Sequence, residues 1–172
     1  MIRLATPTDS PGVVRTVRAV YDEYGCTWEE GGYHADLYDL GPYCDPSLAR
    51  FWVGEVEGEV VGCGGVRFFD PIPGKTGEIV IKEGYRRVAG TSSDIVRMYV
   101  HPDGRRKGIA SAIMEEIILA CRQRGPIEIW SDKSFVDAHR LYAKFGAINV
   151  GERICNDPDQ APEWGMILDP NK

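Results

Sequence analysis

No apolar run in these 172 residues approaches the length of a membrane span. The opening stretch Met1-Ile-Arg-Leu-Ala-Thr-Pro7 lacks the long apolar core of a secretory signal. A cytoplasmic protein with no membrane partner is expected. Cysteine is sparse: Cys26, Cys44, Cys63, Cys121 and Cys155 make an odd set with no C-x-x-C spacing. That pattern argues against a disulfide framework and a thiolate zinc site, so no metal is expected. Positive charge is also short, with 20 Lys and Arg against 26 Asp and Glu and a net charge of −6. A chain that coats nucleic acid is ordinarily basic, so no nucleic-acid partner is expected. The common nucleotide signatures are missing too. Gly74-Lys-Thr76 resembles the end of a P-loop, but Phe69 stands where its first glycine belongs. No G-x-G-x-x-G follows a strand.

What is present suits one α/β domain over residues 1–172, with 43% hydrophobic residues for a core and 27% charged residues for a surface. Ile2 to Ala5 reads as a strand. Thr8, Asp9 and Ser10 offer helix-capping oxygens, Pro11 fits a first turn, and Val13, Val17, Val20, Tyr21 and Tyr24 recur at helical spacing up to Gly25. Residues 26–48 read as loops around a short helix. Residues 51–56 and 59–69 read as paired strands around Glu57-Gly58. Residues 78–85 read as a strand and 86–93 as a loop. A strand over 94–100 precedes a helix over 108–124 that Gly125 and Pro126 terminate. Residues 127–130 form a strand, Ser134 and Asp137 resemble a capping box for a helix ending at Gly146, and strands near 147–154 and 164–168 close the chain.

The strongest chemical signal is Val100-His-Pro-Asp-Gly-Arg-Arg-Lys-Gly-Ile-Ala110. A strand enters a turn, three cations follow, and a helix begins. The first N–H groups of a helix have no internal partners and sit at the positive end of its dipole, so they attract anions. Gly108 lets a diphosphate approach the backbone.

This arrangement resembles the GNAT superfamily of N-acetyltransferases. Arg105-Arg-Lys-Gly-Ile-Ala110 is similar to that family's (Gln/Arg)-x-x-Gly-x-(Gly/Ala) acetyl-CoA loop. Asp94-Ile-Val-Arg-Met-Tyr-Val100 matches the strand before the loop, and Ala138-His-Arg-Leu-Tyr-Ala-Lys-Phe-Gly146 matches a later A-x-x-L-Y-x-x-x-G helix. The resemblance implies a mixed central sheet splayed between two parallel strands, with helices on both faces. It implies acetyl-CoA as co-substrate, bound by main-chain groups of Met98 and Val100 and by Arg105, Arg106, Lys107, Gly108, Ile109 and Ala110. Tyr142 takes the place of the family's general acid, although periodicity alone makes it a core aromatic beside Leu141 and Phe145. Asp94 is the candidate base, with Glu78 and His34 as rivals. Alternation puts Asp94, Val96, Met98 and Val100 on one face unless a bulge intervenes. Phe135 stands where many relatives carry a cofactor-bonding Asn; Ser134 is the possible substitute.

The implied reaction is acetyl transfer to a primary amine, on a small molecule or a peptide, by direct attack in a ternary complex. Trp28 and Tyr33, in an aromatic segment with nearby acids, are the candidate acceptor wall. Homodimers are common in the family resembled. A non-catalytic acyl-CoA-binding regulator, or an acyltransferase using another acyl-CoA, is the alternative.

Overall fold

Three helices and nine strands follow one another in a computed structural model that describes residues 1–172. In chain order they are β1 (Ile2–Leu4), α1 (Ser10–Tyr24), β2 (Ala49–Val56), β3 (Glu59–Phe68), β4 (Ile79–Lys82), β5 (Tyr85–Val88), β6 (Ser93–Val100), α2 (Ile109–Cys121), β7 (Ile127–Asp132), α3 (Val136–Lys144), β8 (Ile148–Ile154) and β9 (Pro162–Leu168). The chain forms two compact units, each built from two stretches: Met1–Arg67 with Val96–Ile117, and Phe68–Ile95 with Ile118–Lys172. β6 and α2 run through both.

In the first unit, β1 and β2 pair antiparallel, as do β2 and β3, and the strand order is β1-β2-β3-β6. The β2–β3 hairpin turns at Glu57 and Gly58, whose φ values of 51° and 80° are both positive, as a tight hairpin turn requires. α1 starts and stops where the sequence predicts. Pro11 lies in its first turn, and Gly25 closes it at φ 67° with its N–H on Tyr21 and Asp22. Asp9 does not cap α1 through its side chain; its carboxylate accepts from the Thr6 N–H and from Arg3.

Alternation along β2 sorts the two faces. Phe51 and Val53 point into a core shared with Val13, Val17, Leu37, Leu40 and Tyr43. Such side chains contribute about 1.5–3 kcal/mol each when fully buried. The even positions turn to the opposite face, where Gly54 meets Ile109 of α2. Helices therefore cover both faces here. The loops of residues 26–48 hold two short 3-10 helices, Ala35–Leu37 and Gly41–Cys44, where one short helix was expected.

In the second unit, β7 pairs antiparallel with β9 and β9 with β8. β6 and β7 form the one parallel pair, and its ladder covers only Ser93↔Ile127 and Asp94↔Glu128 although both strands continue. The result is the mixed, mostly antiparallel sheet with a parting parallel pair that the sequence led one to expect. Three local expectations are corrected. Residues 79–88 are not a strand followed by a loop but the hairpin β4–β5, turning at Glu83 and Gly84 with φ values of 53° and 77°. α2 ends at Cys121, with both the Arg124 and Gly125 N–H groups folding back onto the Cys121 carbonyl. The Ser134–Asp137 capping box does not form: Ser134 bonds Asp132 through both its N–H and its hydroxyl, and Asp137 pairs with Arg140.

Candidate functional site

The loop that leads into α2 is fixed from below by glycines. Gly54 and Gly62 are register partners on β2 and β3. A Cβ on either would lie 2.4 Å from Cγ2 of Ile109, so the pair leaves a notch that only a bare backbone provides. Ile109 fills that notch and is buried, which seats the first turn of α2 on the sheet. The strand end is tied down as well. The His101 N–H donates to the Val61 carbonyl at 2.8 Å, and Gly104 packs so closely on Val61 that a side chain there would strike it. His101 is tied into this turn: its Nδ1 accepts from the Asp103 N–H at 3.2 Å.

Above this base the loop is exposed. Arg106 and Gly108 both adopt left-handed backbone, at φ 60° and 76°, on either side of Lys107. Nothing lies within 4 Å of where a Gly108 side chain would begin. The loop can therefore present the unpaired N–H groups at the start of α2, with Lys107 and Arg106 beside them, to an anion. Arg105 is engaged differently. Its guanidinium makes two bonds, at 2.8 and 2.6 Å, to Glu23 of α1 and holds that carboxyl below its ordinary value.

β6 carries the next two sequence-predicted contacts, and its alternation is broken. Arg97 has φ 52°, left-handed backbone inside a strand. Val96 and Tyr99, an odd number of residues apart, both pack on the core beneath α1. Met98 instead lies against Gly64, on the face where Ile113 of α2 sits. Asp94, Val96, Met98 and Val100 therefore do not share a face; the bulge at Arg97 shifts Met98 away from Val96. Met98 and Val100 are half-buried.

The aromatic segment 26–43 is knitted together by its own groups. Trp28 stacks on His34 at 4.0 Å, donates to the Tyr38 hydroxyl at 3.2 Å, and lies under the Arg18 guanidinium. Tyr33 meets the His34 edge at 5.1 Å, and the Arg97 guanidinium stands 4.6 Å from its ring centroid. These rings already carry the protein's own cations. His34 is fully buried. Its Nδ1 accepts from the Glu29 N–H at 3.1 Å, and its Nε2 is buried without a partner. Burial, then the nearby Arg97 charge, pushes its pKa down to about 4. It is thus a neutral ring at pH 7.

The second unit holds Tyr142 and Asp94. Tyr142 is buried on α3, and burial raises its hydroxyl pKa well above the ordinary phenol value. It is therefore protonated at neutral pH. Asp94 is buried near the start of β6, in register with Glu128 of β7. Glu128 is a feature that sequence reasoning missed. It is fully buried, yet Arg87, the Val88 N–H (2.8 Å) and the Trp130 Nε1–H (3.1 Å) all bond its carboxylate. A Glu among Ile127, Ile129 and Trp130 could have signalled a buried partner. Glu78, a rival base, is exposed beside the β4–β5 hairpin, its carbonyl accepting from Ala89. Phe135 occupies the N-cap of α3, and the Ser134 hydroxyl is spent on Asp132. His139 contacts the Ser131 hydroxyl at 3.1 Å. No group of three or more His, Cys, Asp or Glu side chains gathers to hold a metal ion, and no helix is long and apolar enough to cross a membrane.

Comparison with known proteins gives four matches of note. The family model described as Acetyltransferase (GNAT) family matches residues 17–147. A protein of Escherichia coli strain K12, the uncharacterized N-acetyltransferase YjgM, is 32% identical over 130 residues; these make up 73% of this chain and 66% of that protein, just under two thirds of its length. A solved GNAT-family acetyltransferase from Staphylococcus aureus Mu50 superposes with a TM-score of 0.74 at 13% identity, covering 99% of this chain and 98% of that one. A ribosomal-protein-alanine N-acetyltransferase from Brucella melitensis gives a TM-score of 0.66 at 19% identity, with 98% and 99% covered. At such identities the structural likeness speaks for the fold.

Proposed function

This chain belongs to the acetyltransferase (GNAT) family, and we propose that it is an acetyl-CoA-dependent N-acetyltransferase acting on a primary amine by direct attack in a ternary complex. The observation that carries this reading is the seated loop at 105–110. Its helix start is pinned by Ile109 in the Gly54–Gly62 notch, while its outer side, around left-handed Gly108, is open. A diphosphate needs that combination of fixed N–H donors and free space. The residues present fit acetyl-CoA. The N–H groups of 108–110 with Arg106 and Lys107 would hold the diphosphate, Arg105 would contribute from its pairing with Glu23, and main-chain groups of Met98 and Val100 would pair with the pantetheine arm as an added strand does.

In the proposed reaction the amine nitrogen attacks the thioester carbonyl. The new C–N bond forms, the C–S bond breaks, and the sulfur leaves as a thiol after taking the Tyr142 hydroxyl proton. Asp94 takes the amine's proton, directly or through one water. The segment 26–43, with Trp28 and Tyr33, forms the acceptor wall. Because the ring faces of Trp28 and Tyr33 carry Arg18 and Arg97, the exposed Glu29 and Glu30 supply the attraction for a cationic amine there. The family match runs through both compact units, which supports reading the chain as one domain.

The test is release of free thiol from acetyl-CoA with a panel of amines, together with calorimetry. Gly108→Asp places a carboxylate against the diphosphate and should abolish measurable acetyl-CoA binding. Tyr142→Phe should lower kcat by about 10²-fold, the scale of removing one acid–base group, with acetyl-CoA affinity unchanged. Tight acetyl-CoA binding with no thiol release from any amine would favour the non-catalytic regulator instead.

A further inference from the structure

Arg97 is a costly residue to keep where it is. Its backbone is left-handed inside a strand, a strain normally reserved for glycine. Its side chain is only 11% exposed, so a guanidinium has been taken out of water. The charge is fully employed, and always toward the same segment. Nε donates to Asp36 Oδ2 at 3.0 Å and one terminal nitrogen donates to Asp36 Oδ1 at 2.8 Å. The same nitrogen donates to the Tyr33 carbonyl at 2.5 Å, and the guanidinium plane covers the Tyr33 ring. Asp36 is locked in turn by the Tyr43 hydroxyl at 2.6 Å. On its other side, the Arg97 carbonyl accepts from the buried Cys63 thiol at 3.3 Å, so the kink itself is held in β3.

With Arg97 nearly buried and Asp36 32% exposed, such a pair is a weak source of stability. What it supplies is a fixed geometry between two stretches 61 residues apart. One end is the residue next to Met98. The other is the Tyr33–Asp36 stretch. We propose that Arg97 is a positioning residue for the amine acceptor. Its guanidinium clasps the 33–36 stretch onto β6 and so sets the placement of Tyr33 and Trp28 relative to the acetyl donor. This inference rests on the acetyltransferase reading and on segment 26–43 as the acceptor wall.

The test uses the full chain and three probe amines, tyramine, spermidine and a peptide with a free α-amine; kinetics are run with whichever the wild type turns over fastest. Asp36→Asn keeps the shape of the clasp and removes its charge. It should raise the acceptor KM by about tenfold, the scale of one lost charge-assisted hydrogen bond, while the KM for acetyl-CoA and kcat stay within about twofold. Arg97→Lys keeps the charge without the two-pronged fork and should fall between Asp36→Asn and wild type. Arg97→Met should match or exceed the Asp36→Asn effect; if it does not fold, Asp36→Asn and Arg97→Lys still decide. An acceptor KM that does not move in any folded variant overturns the proposal, as does an acetyl-CoA KM that rises in step with it. Failure of the wild type to acetylate any probe overturns the acetyltransferase reading and this inference with it, and that outcome is recognisable because no variant is needed to see it.

Discussion

Acidification should weaken this fold through one buried ring, His34. Its Nδ1 accepts the Glu29 N–H, and its Nε2 finds no partner. Trp28 lies flat against it, and Tyr21 meets it edge-on at 4.5 Å. A second proton would have to go on Nδ1, which breaks the Glu29 bond and places a charge among aromatic rings close to Arg97. Glu29 and Asp36 act the other way but are outweighed, and the pKa falls from 6.5 to about 4. The unfolded chain therefore takes up a proton below about pH 6.5, and the folded chain only near pH 4. Between those values the unfolded state binds more protons, so stability falls as pH falls. It is flat above pH 6.5 and the loss levels off below about pH 4. The drop in pKa corresponds to up to about 3 kcal/mol at roughly 1.4 kcal/mol per unit, most of it gone by pH 4.5. Urea unfolding of wild type and His34→Gln at pH 7, 6, 5 and 4.5 isolates this contribution, because other titrating groups are common to both. The substitution lowers stability at pH 7 by a fixed offset, and the gap should close as the pH falls. Parallel stability curves for the two proteins across that range would refute the reasoning.

Two further outcomes concern the loop proposed to hold acetyl-CoA. Gly54→Ala puts a methyl group 2.4 Å from Ile109 Cγ2, and a β-branched side chain in a helix has little rotamer freedom to yield; the expected cost is about 1–3 kcal/mol in urea unfolding, with weaker acetyl-CoA binding by calorimetry. Ile109→Ala in the same chain should recover part of the loss, and a strictly additive double variant would show that the notch does not couple the two residues. Glu23→Gln frees Arg105 from its pair and should tighten acetyl-CoA binding severalfold at low salt, with the gain shrinking as salt rises; weaker binding would mean that Glu23 holds Arg105 in its working position.

The elements that could be read from the sequence are those whose signals lie within a few residues of each other. α1 runs from its Pro11 turn to Gly25, and the β2–β3 turn falls at Glu57-Gly58, because proline and glycine restrict or free the backbone where they stand. The same reading missed the Glu83-Gly84 turn of β4–β5, although its residues and backbone repeat those of Glu57-Gly58. It also missed the kink in β6, where Arg97 takes φ 52° with no glycine beside it to signal a turn. A local pattern also misled at α3. Ser134 and Asp137 have capping-box spacing, but Asp132, two residues upstream of Ser134, captures the serine first.

The candidate site divides along the same line. Gly108 and the start of α2 were legible because a strand, a turn, cations and a helix adjoin in the chain, and their backbone chemistry follows from that order. The charges were not. Arg105 counts in the sequence as one of three loop cations, yet in the fold it is paired with Glu23, 82 residues away. Arg97 is bound to Asp36, 61 residues away, and Arg87 to Glu128, 41 residues away. A motif lists charges without saying which of them are already neutralised. In this loop the neutralisation leaves the backbone N–H groups, Arg106 and Lys107 as the main source of attraction for the proposed diphosphate. The backbone donors are fixed by Ile109 in the Gly54–Gly62 notch, not by the loop's charged side chains. Loss of the notch should therefore damage acetyl-CoA binding more than loss of the Arg105 guanidinium.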